Sequence, residues 1–218
     1  MITVVAISSE KDFEVANEWL AHLPSFVKKL IVKTVRKGET RIVSDRNDIA
    51  IHEWGYDVFR FDEARNHALS LVETDWCIML DIDERLQIFK DDVEFIESQP
   101  KDVAGLKVTL TCFMPTADTR NGGVYECTRV LRKEVRYKYR CHEDPKPWIF
   151  DNSYKIGQSP LLIRHDGYID PVEFKMKLVR NYHLILDDIM EDRENRMDSK
   201  LVGDLFRTIE GFNSVANN

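Results

Sequence analysis

Apolar and polar positions along this chain alternate between short unbroken apolar runs and stretches with helical spacing. Ile2 to Ile7 is a β-branched run ending in Ser8 and Ser9, which predicts a buried strand with a polar carboxyl end. Lys11 to Leu23 places Phe13, Ala16, Trp19 and Leu20 on one helical face before Pro24 closes it. Phe26 to Val35 predicts a second strand, and the polar stretch from Arg36 to Asn47 a loop. Asp48 to Trp54 is expected as a short helix stopped by Gly55, and Tyr56 to Phe61 as a third strand. A helix then starts at Phe61 and Asp62, with Ala64, Ala68, Leu69 and Val72 as its buried stripe. It leads into Trp76 to Leu80, an almost wholly apolar run of the kind buried on both faces of a parallel sheet.

Beyond Glu84 the pattern changes. Asp91 to Ser98 predicts a short amphipathic helix stopped by Pro100, and Gly105 to Phe113 and Val124 to Arg132 predict antiparallel strands. Tyr137 to Cys141 is expected as a further short strand, and the segment with Pro145, Pro147 and Gly157 as an irregular loop over a site. Leu161 to Arg164 predicts a last strand. Two helices finish the chain, one carrying Phe174, Leu178, Tyr182, Ile185, Leu186 and Ile189, the other Leu201, Val202, Leu205, Phe206 and Ile209. The class is therefore α/β: a mostly parallel central sheet, added antiparallel strands and two C-terminal helices. A single domain over 1–218 is expected, with a nucleotide-binding type of α/β half at 1–84, a second half at 85–170, and C-terminal helices at 171–212. A homodimer contact through the last helix is a further possibility.

Charge narrows the partners. A net charge of −7 argues against a general nucleic-acid coat or an anionic-membrane binder. Cys77, Cys112, Cys127 and Cys141 are widely spaced without a C-x-x-C pair, which predicts buried thiols in a reducing compartment. No basic leader or spanning-length apolar segment is evident, so no stable membrane insertion and a cytoplasmic location are expected, host cytoplasm if the source is viral.

Candidate chemistry gathers where apolar strands end. Asp81, Asp83 and Glu84 follow the central run, a place where carboxylates are costly unless solvated or neutralised. It is also where open α/β sheets bind ligands. Alternation along an extended chain points Asp81 and Asp83 the same way. Hard oxygen ligands of this kind suit Mg²⁺ or Mn²⁺ when substrate phosphates complete the shell. His142-Glu143-Asp144 and His165-Asp166-Gly167-Tyr168 end two further runs, and three such clusters suggest one shared cleft.

The order of Ala64-Arg65-Asn66, Asp81-Ile82-Asp83-Glu84, the basic strand Arg129 to Arg132, His142-Glu143, His165-Asp166-Gly167-Tyr168 and Lys175 to Asn181 resembles family 2 glycosyltransferases of the GT-A fold. The nearest flavour is the small bacterial and viral type related to lipopolysaccharide-core glucosyltransferases. The resemblance implies a hexosyl transfer from a nucleotide-sugar, a UDP-sugar first, to the hydroxyl of a glycan, lipid-linked or protein-linked acceptor. It implies a D-x-D site for Mn²⁺ or Mg²⁺ with Asp83 on the metal, Asp81 facing the ribose or the metal through water, and His165 as a third ligand. Arg65 would lie against the uracil or ribose, with Ile82, Tyr168 and Lys175 also on the nucleotide-sugar side. Ser8 and Asp45 join the base pocket from their positions at strand and loop ends. Inverting displacement would follow, with Glu143 as general base and Asp144 as the alternative. Two other readings stand beside it: a non-catalytic nucleotide- or sugar-binding module, and a sugar-1-phosphate nucleotidyltransferase. The latter's Gly-rich loop after the first strand is replaced here by Ser8-Ser9-Glu10-Lys11-Asp12-Phe13.

Overall fold

The computed structural model describes residues 1–37, 39–46, 49–112, 123–165, 171–191 and 199–216. The elements run β1 (Thr3–Ser9), α1 (Phe13–Ala21), β2 (Lys28–Arg36), β3 (Arg41–Arg46), β4 (Ile49–Tyr56), α2 (Phe61–Ser70) and β5 (Trp76–Asp81). After these come β6 (Glu84–Leu86), α3 (Lys90–Glu97), β7 (Val103–Cys112), β8 (Val124–Arg132), α4 (Lys146–Asp151), β9 (Lys155–His165), α5 (Pro171–Glu191) and α6 (Ser199–Ala216). All nine strands join one sheet in the order β3-β4-β2-β1-β5-β8-β7-β9-β6.

β1 lies at the middle of a parallel block, paired with β2 on one side and β5 on the other, and β2 pairs in parallel with β4. β8 runs antiparallel between β5 and β7, so β7 regains the direction of the parallel block, and β9 pairs in parallel with β7. β4, β2, β1, β5, β7 and β9 therefore all present their carboxyl ends along one edge of the sheet. The expected plan holds: a mostly parallel centre, added antiparallel strands and two C-terminal helices.

Alternation along the buried strands builds a core on each face. Trp76, Ile78 and Leu80 pack with Ala16 and Leu20 of α1 and Val93 and Ile96 of α3. Cys77 and Met79 point the other way, onto Ala68, Leu69 and Val72, while Ile149 of α4 joins the same cluster. Period-two geometry then sends Asp81 to the α2 side, which decides its partners. The two C-terminal helices pack on each other and enclose Cys141, Leu184 and Ile185, with Phe61 and Leu205 at the margin.

Five local expectations are corrected. Arg36 to Asn47 is not wholly loop, because β3 pairs antiparallel with β4. The expected helix at Asp48 to Trp54 is strand β4, with Ile49, Ile51 and Glu53 buried in alternation. Tyr56 to Phe61 is not a strand. Its aromatic rings pack edge-on instead, Tyr56 on Phe59 at 5.2 Å and Phe59 on Phe61 at 4.7 Å. Tyr137 to Cys141 makes only an isolated bridge between Lys138 and Asp144, since Tyr139 and His142 have φ of 77° and 53°. The segment expected to be irregular after Pro145 instead holds α4 and the first half of a long β9.

Candidate active site

Most described residues of interest reach the shared carboxyl edge, and they come from several elements. β5 ends in Asp81, and the following turn holds Asp83 before β6 begins at Glu84. Glu84 pairs in register with His165, the last residue of β9, and His165 pairs with Cys112, the last residue of β7. The sheet register thus carries His165 beside the Asp81–Glu84 turn.

Two arginines organise the acids. Arg65, buried in α2 with only 2% of its side chain exposed, donates from Nη2 to Asp81 Oδ1 at 2.6 Å and from Nε to Glu143 Oε1. Arg129 of β8 donates from Nη2 to Asp81 Oδ2 at 2.8 Å and to Glu84 Oε1 at 2.6 Å. The backbone N–H of Asp81 closes the arrangement by donating to Glu84 Oε2 at 2.9 Å. Charges therefore alternate along a chain of five side chains: Glu143, Arg65, Asp81, Arg129, Glu84. Tyr137 lies against the Arg65 guanidinium, 5.4 Å from ring centroid to Cζ.

The environment separates these carboxyls. Burial opposes ionisation of Asp81, but Arg65 and Arg129 outweigh it and hold the group well below the usual carboxylate range. Glu84 is shifted upward, because its burial is only partly offset by Arg129 and Asp81 adds repulsion. Burial likewise raises the Tyr137 phenol and the Cys112 thiol.

Asp83 belongs to a second group. Its Oδ1 is 3.3 Å from His165 Nε2, and its Oδ2 accepts from Lys177 Nζ of α5 at 3.0 Å. Burial raises Asp83, yet the His165 hydrogen bond and the Lys177 charge lower it overall. The histidine shows the reverse balance: burial lowers it, and the Asp83 contact raises it overall. Its Nδ1 lies 3.4 Å from Cys112 Sγ, a contact that helps fix the ring.

The Asp83–His165 pair suits part of a divalent cation's shell. Adjacent ligands of an octahedral ion with bonds of about 2.1 Å stand about 3 Å apart, close to the observed spacing. Among the described residues no three His, Cys, Asp or Glu side chains form a metal-holding group. Substrate phosphates would have to supply the remaining oxygens, which is how Mg²⁺ is commonly held. Asp81 has each carboxylate oxygen on a guanidinium in this structure.

The loop bearing Glu143 and Asp144 is clamped from outside the sheet. Arg140 N–H donates to Asp188 Oδ2 of α5 at 2.7 Å, and the Arg140 carbonyl accepts from Phe61 N–H at 3.1 Å. The Arg140 guanidinium also lies 3.3 Å from Asp188 Oδ1 and pairs with Glu191. Asp144 Oδ1 accepts from Lys146 N–H at 3.0 Å, at the start of α4.

Of the remaining expected residues, Ser8 is buried one residue before the end of β1 and donates from Oγ to the Ser9 carbonyl at 2.8 Å. Ile82 is half-buried against the core, and its carbonyl accepts from Arg85. Asp45 does not join Ser8 as expected: it lies in β3 opposite Ala50, near the amino end of β4 and away from the carboxyl edge, because β3 runs antiparallel to β4. Lys175 lies in α5; the side chains of both are outside the described set, as is Tyr168 entirely. Sequence reading placed Arg129 only within a basic strand and did not single out Lys177 or Arg140. An arginine directly before the apolar pair Val130-Leu131 of an expected strand was the available signal for Arg129, since a buried charge demands partners.

No family model matches the chain, and no curated protein matches it. Among solved structures it is similar to S. aureus TarS 1–349 in complex with UDP-GlcNAc, with 15% identity, a TM-score of 0.45, and coverage of 95% of this chain and 72% of that one. A longer S. aureus TarS structure gives 14% identity and a TM-score of 0.48, and the match spans 43% of that chain. A putative glucose-1-phosphate thymidylyltransferase from Bacillus anthracis, in complex with a sucrose, gives 7% identity and a TM-score of 0.42 over 83% of this chain and 96% of that one. These are distant likenesses, so the functional reading rests on the chain's own side chains.

Proposed function

We propose that this chain transfers a hexosyl group from a nucleotide-sugar, a UDP-sugar first among them, to an acceptor hydroxyl with inversion at the anomeric carbon. The observation that carries this reading is the meeting of Asp83 with His165 on the same sheet edge as the Glu143-Arg65-Asp81 chain. One pair is suited to a cation and diphosphate, and the other arrangement holds a carboxylate in a fixed place beside it. Asp83 and His165 would hold Mn²⁺ or Mg²⁺, which when bound neutralises charge on the diphosphate leaving group.

The chain's own groups account for the rest. Arg65 fixes one oxygen of Glu143, leaving Oε2 to accept the proton of an acceptor hydroxyl. Asp81, held ionised between Arg65 and Arg129, keeps both guanidiniums oriented. Ser8, near the carboxyl end of β1, is in line with a base pocket on this edge. Asp144, one oxygen on Lys146 N–H, is the alternative base.

The test combines binding and turnover. Thermal melting with UDP and with UDP-, GDP- and dTDP-sugars, in Mn²⁺ or in EDTA, is expected to show stabilisation only with the cation. A ligand at a hundredfold excess over Kd stabilises by about 2.7 kcal/mol, and at this size each kcal/mol shifts Tm by about 2–4 °C. An equal shift in EDTA would refute cation-bridged binding, and no shift with any nucleotide would refute the donor class. Glu143→Gln should keep cation-dependent donor binding and lose turnover. Turnover surviving Glu143→Gln but lost in Asp144→Asn moves the base by one residue, and survival in both removes the base assignment.

A further inference from the structure

Asp83 faces basic side chains from two elements that are distant in sequence. His165 arrives at the end of β9, and Lys177 arrives from the second turn of α5 with its ammonium 3.0 Å from Asp83 Oδ2. About a third of the lysine side chain is exposed, 32%, so its four-carbon stem has room to turn toward solvent or a ligand. The helix itself is anchored elsewhere, where Asp188 and Glu191 hold Arg140. The Asp83–Lys177 pair is therefore not what holds α5 in place.

A divalent ion placed on Asp83 would meet this ammonium at contact distance, and like charges that close repel strongly in a partly desolvated site. A diphosphate arriving with the ion brings the opposite charge. We propose that Lys177 is an exchangeable counterion, neutralising Asp83 before loading and passing to a diphosphate oxygen when cation and nucleotide bind. This rests on the reading of Asp83 and His165 as the cation-holding pair. It assigns Lys177 to direct contact with the donor diphosphate, and it makes cation and nucleotide each depend on the other. Reciprocal dependence of that kind is a coupling between two ligands and is measurable as one.

The probes are Mn²⁺ alone, followed by the loss of free-ion electron paramagnetic resonance signal, and UDP titrated calorimetrically at saturating Mn²⁺. Lys177→Met should bind Mn²⁺ about tenfold more tightly without nucleotide, because the competing charge is gone. The same variant should bind UDP about tenfold more weakly at saturating Mn²⁺, because a charge-assisted contact is lost. Lys177→Gln provides the same comparison with a polar side chain should the methionine variant fold poorly. Unchanged or weaker Mn²⁺ binding, or unchanged UDP binding, would overturn the exchange. Asp83→Asn separates this failure from that of the underlying reading. If Mn²⁺ binding survives Asp83→Asn, the cation site itself is wrong; if it is lost while Lys177→Met behaves as wild type, only the counterion role falls.

Discussion

Replacing Arg140 by methionine removes the clamp between α5 and the loop carrying Glu143. The side chain faces three carboxylates, but they are not equivalent. Asp187 and Glu191 are 53% and 66% exposed, so solvent screens both pairs and they add little. Asp188 is only 12% exposed, and stripping one partner from a buried ion pair costs about 3–5 kcal/mol. It keeps the Arg140 backbone N–H and the nearby charge of Arg60, which places the expected loss near the lower end, about 3 kcal/mol. For a chain of this size that is a fall in Tm of roughly 9 °C. The pH dependence has a definite sign. Burial already raises the Asp188 carboxyl above its unfolded value, so the native state favours its protonated form. Such a group penalises the fold increasingly as pH rises from the unfolded carboxylate value, about 3.9, through its folded value. Arg140→Met raises Asp188 further and so enlarges that penalty. Urea unfolding should show a deficit that is small at pH 4 and complete by pH 7. Adding Asp188→Asn to the variant should restore about 1–2 kcal/mol at pH 7 by removing the stranded charge. A deficit below about 1 kcal/mol at pH 7, equal deficits at both pH values, or strict additivity in the double variant would refute the clamp.

Two further outcomes test the packing that delivers the site. Leu80→Ala, at a position with no exposed surface one residue before Asp81, should cost about 2–5 kcal/mol in urea unfolding. Gly105→Ala would put a Cβ 2.8 Å from Ile149 Cδ1 and 2.9 Å from Thr128 Cγ2, so a loss of about 1–3 kcal/mol is expected, whereas an unchanged midpoint would show that α4 shifts freely.

Sequence pattern was most informative where one physical signal dominated. The run Trp76 to Leu80 announced β5 because burial on both faces leaves no polar position, and the stripe Ala64, Ala68, Leu69 announced α2. It failed at Ile49 to Tyr56 because Glu53 occupies a buried position of the alternation, made tolerable by Arg41 at 2.8 Å and Lys33 at 3.3 Å. A charge neutralised by residues of β2 and β3 is invisible until those strands are aligned. Tyr137 to Cys141 misled for a related reason. Burial alternates only as far as Tyr139, Arg140 is buried as well, and left-handed backbone at Tyr139 and His142 keeps the segment from strand geometry. At the site, strand ends identified Asp81, Asp83, Glu143 and His165 as candidates from local pattern alone. That Asp81 faces two arginines and Asp83 faces His165 and Lys177 depends on register between distant strands, which no local pattern encodes.

The alternating chain Glu143-Arg65-Asp81-Arg129-Glu84 also restricts how such a sequence can change. Each link sits on a different element, and each inner residue serves two neighbours, so a single substitution strands a charge on two elements at once. Neutral replacements at Arg65 or Arg129 are tolerable only with a matching loss of a carboxylate elsewhere along the chain. Substitution routes through this edge are therefore stepwise traps unless they move in pairs. A designer altering this edge has more freedom at Lys177, which lies outside that chain and is 32% exposed, than at its inner residues.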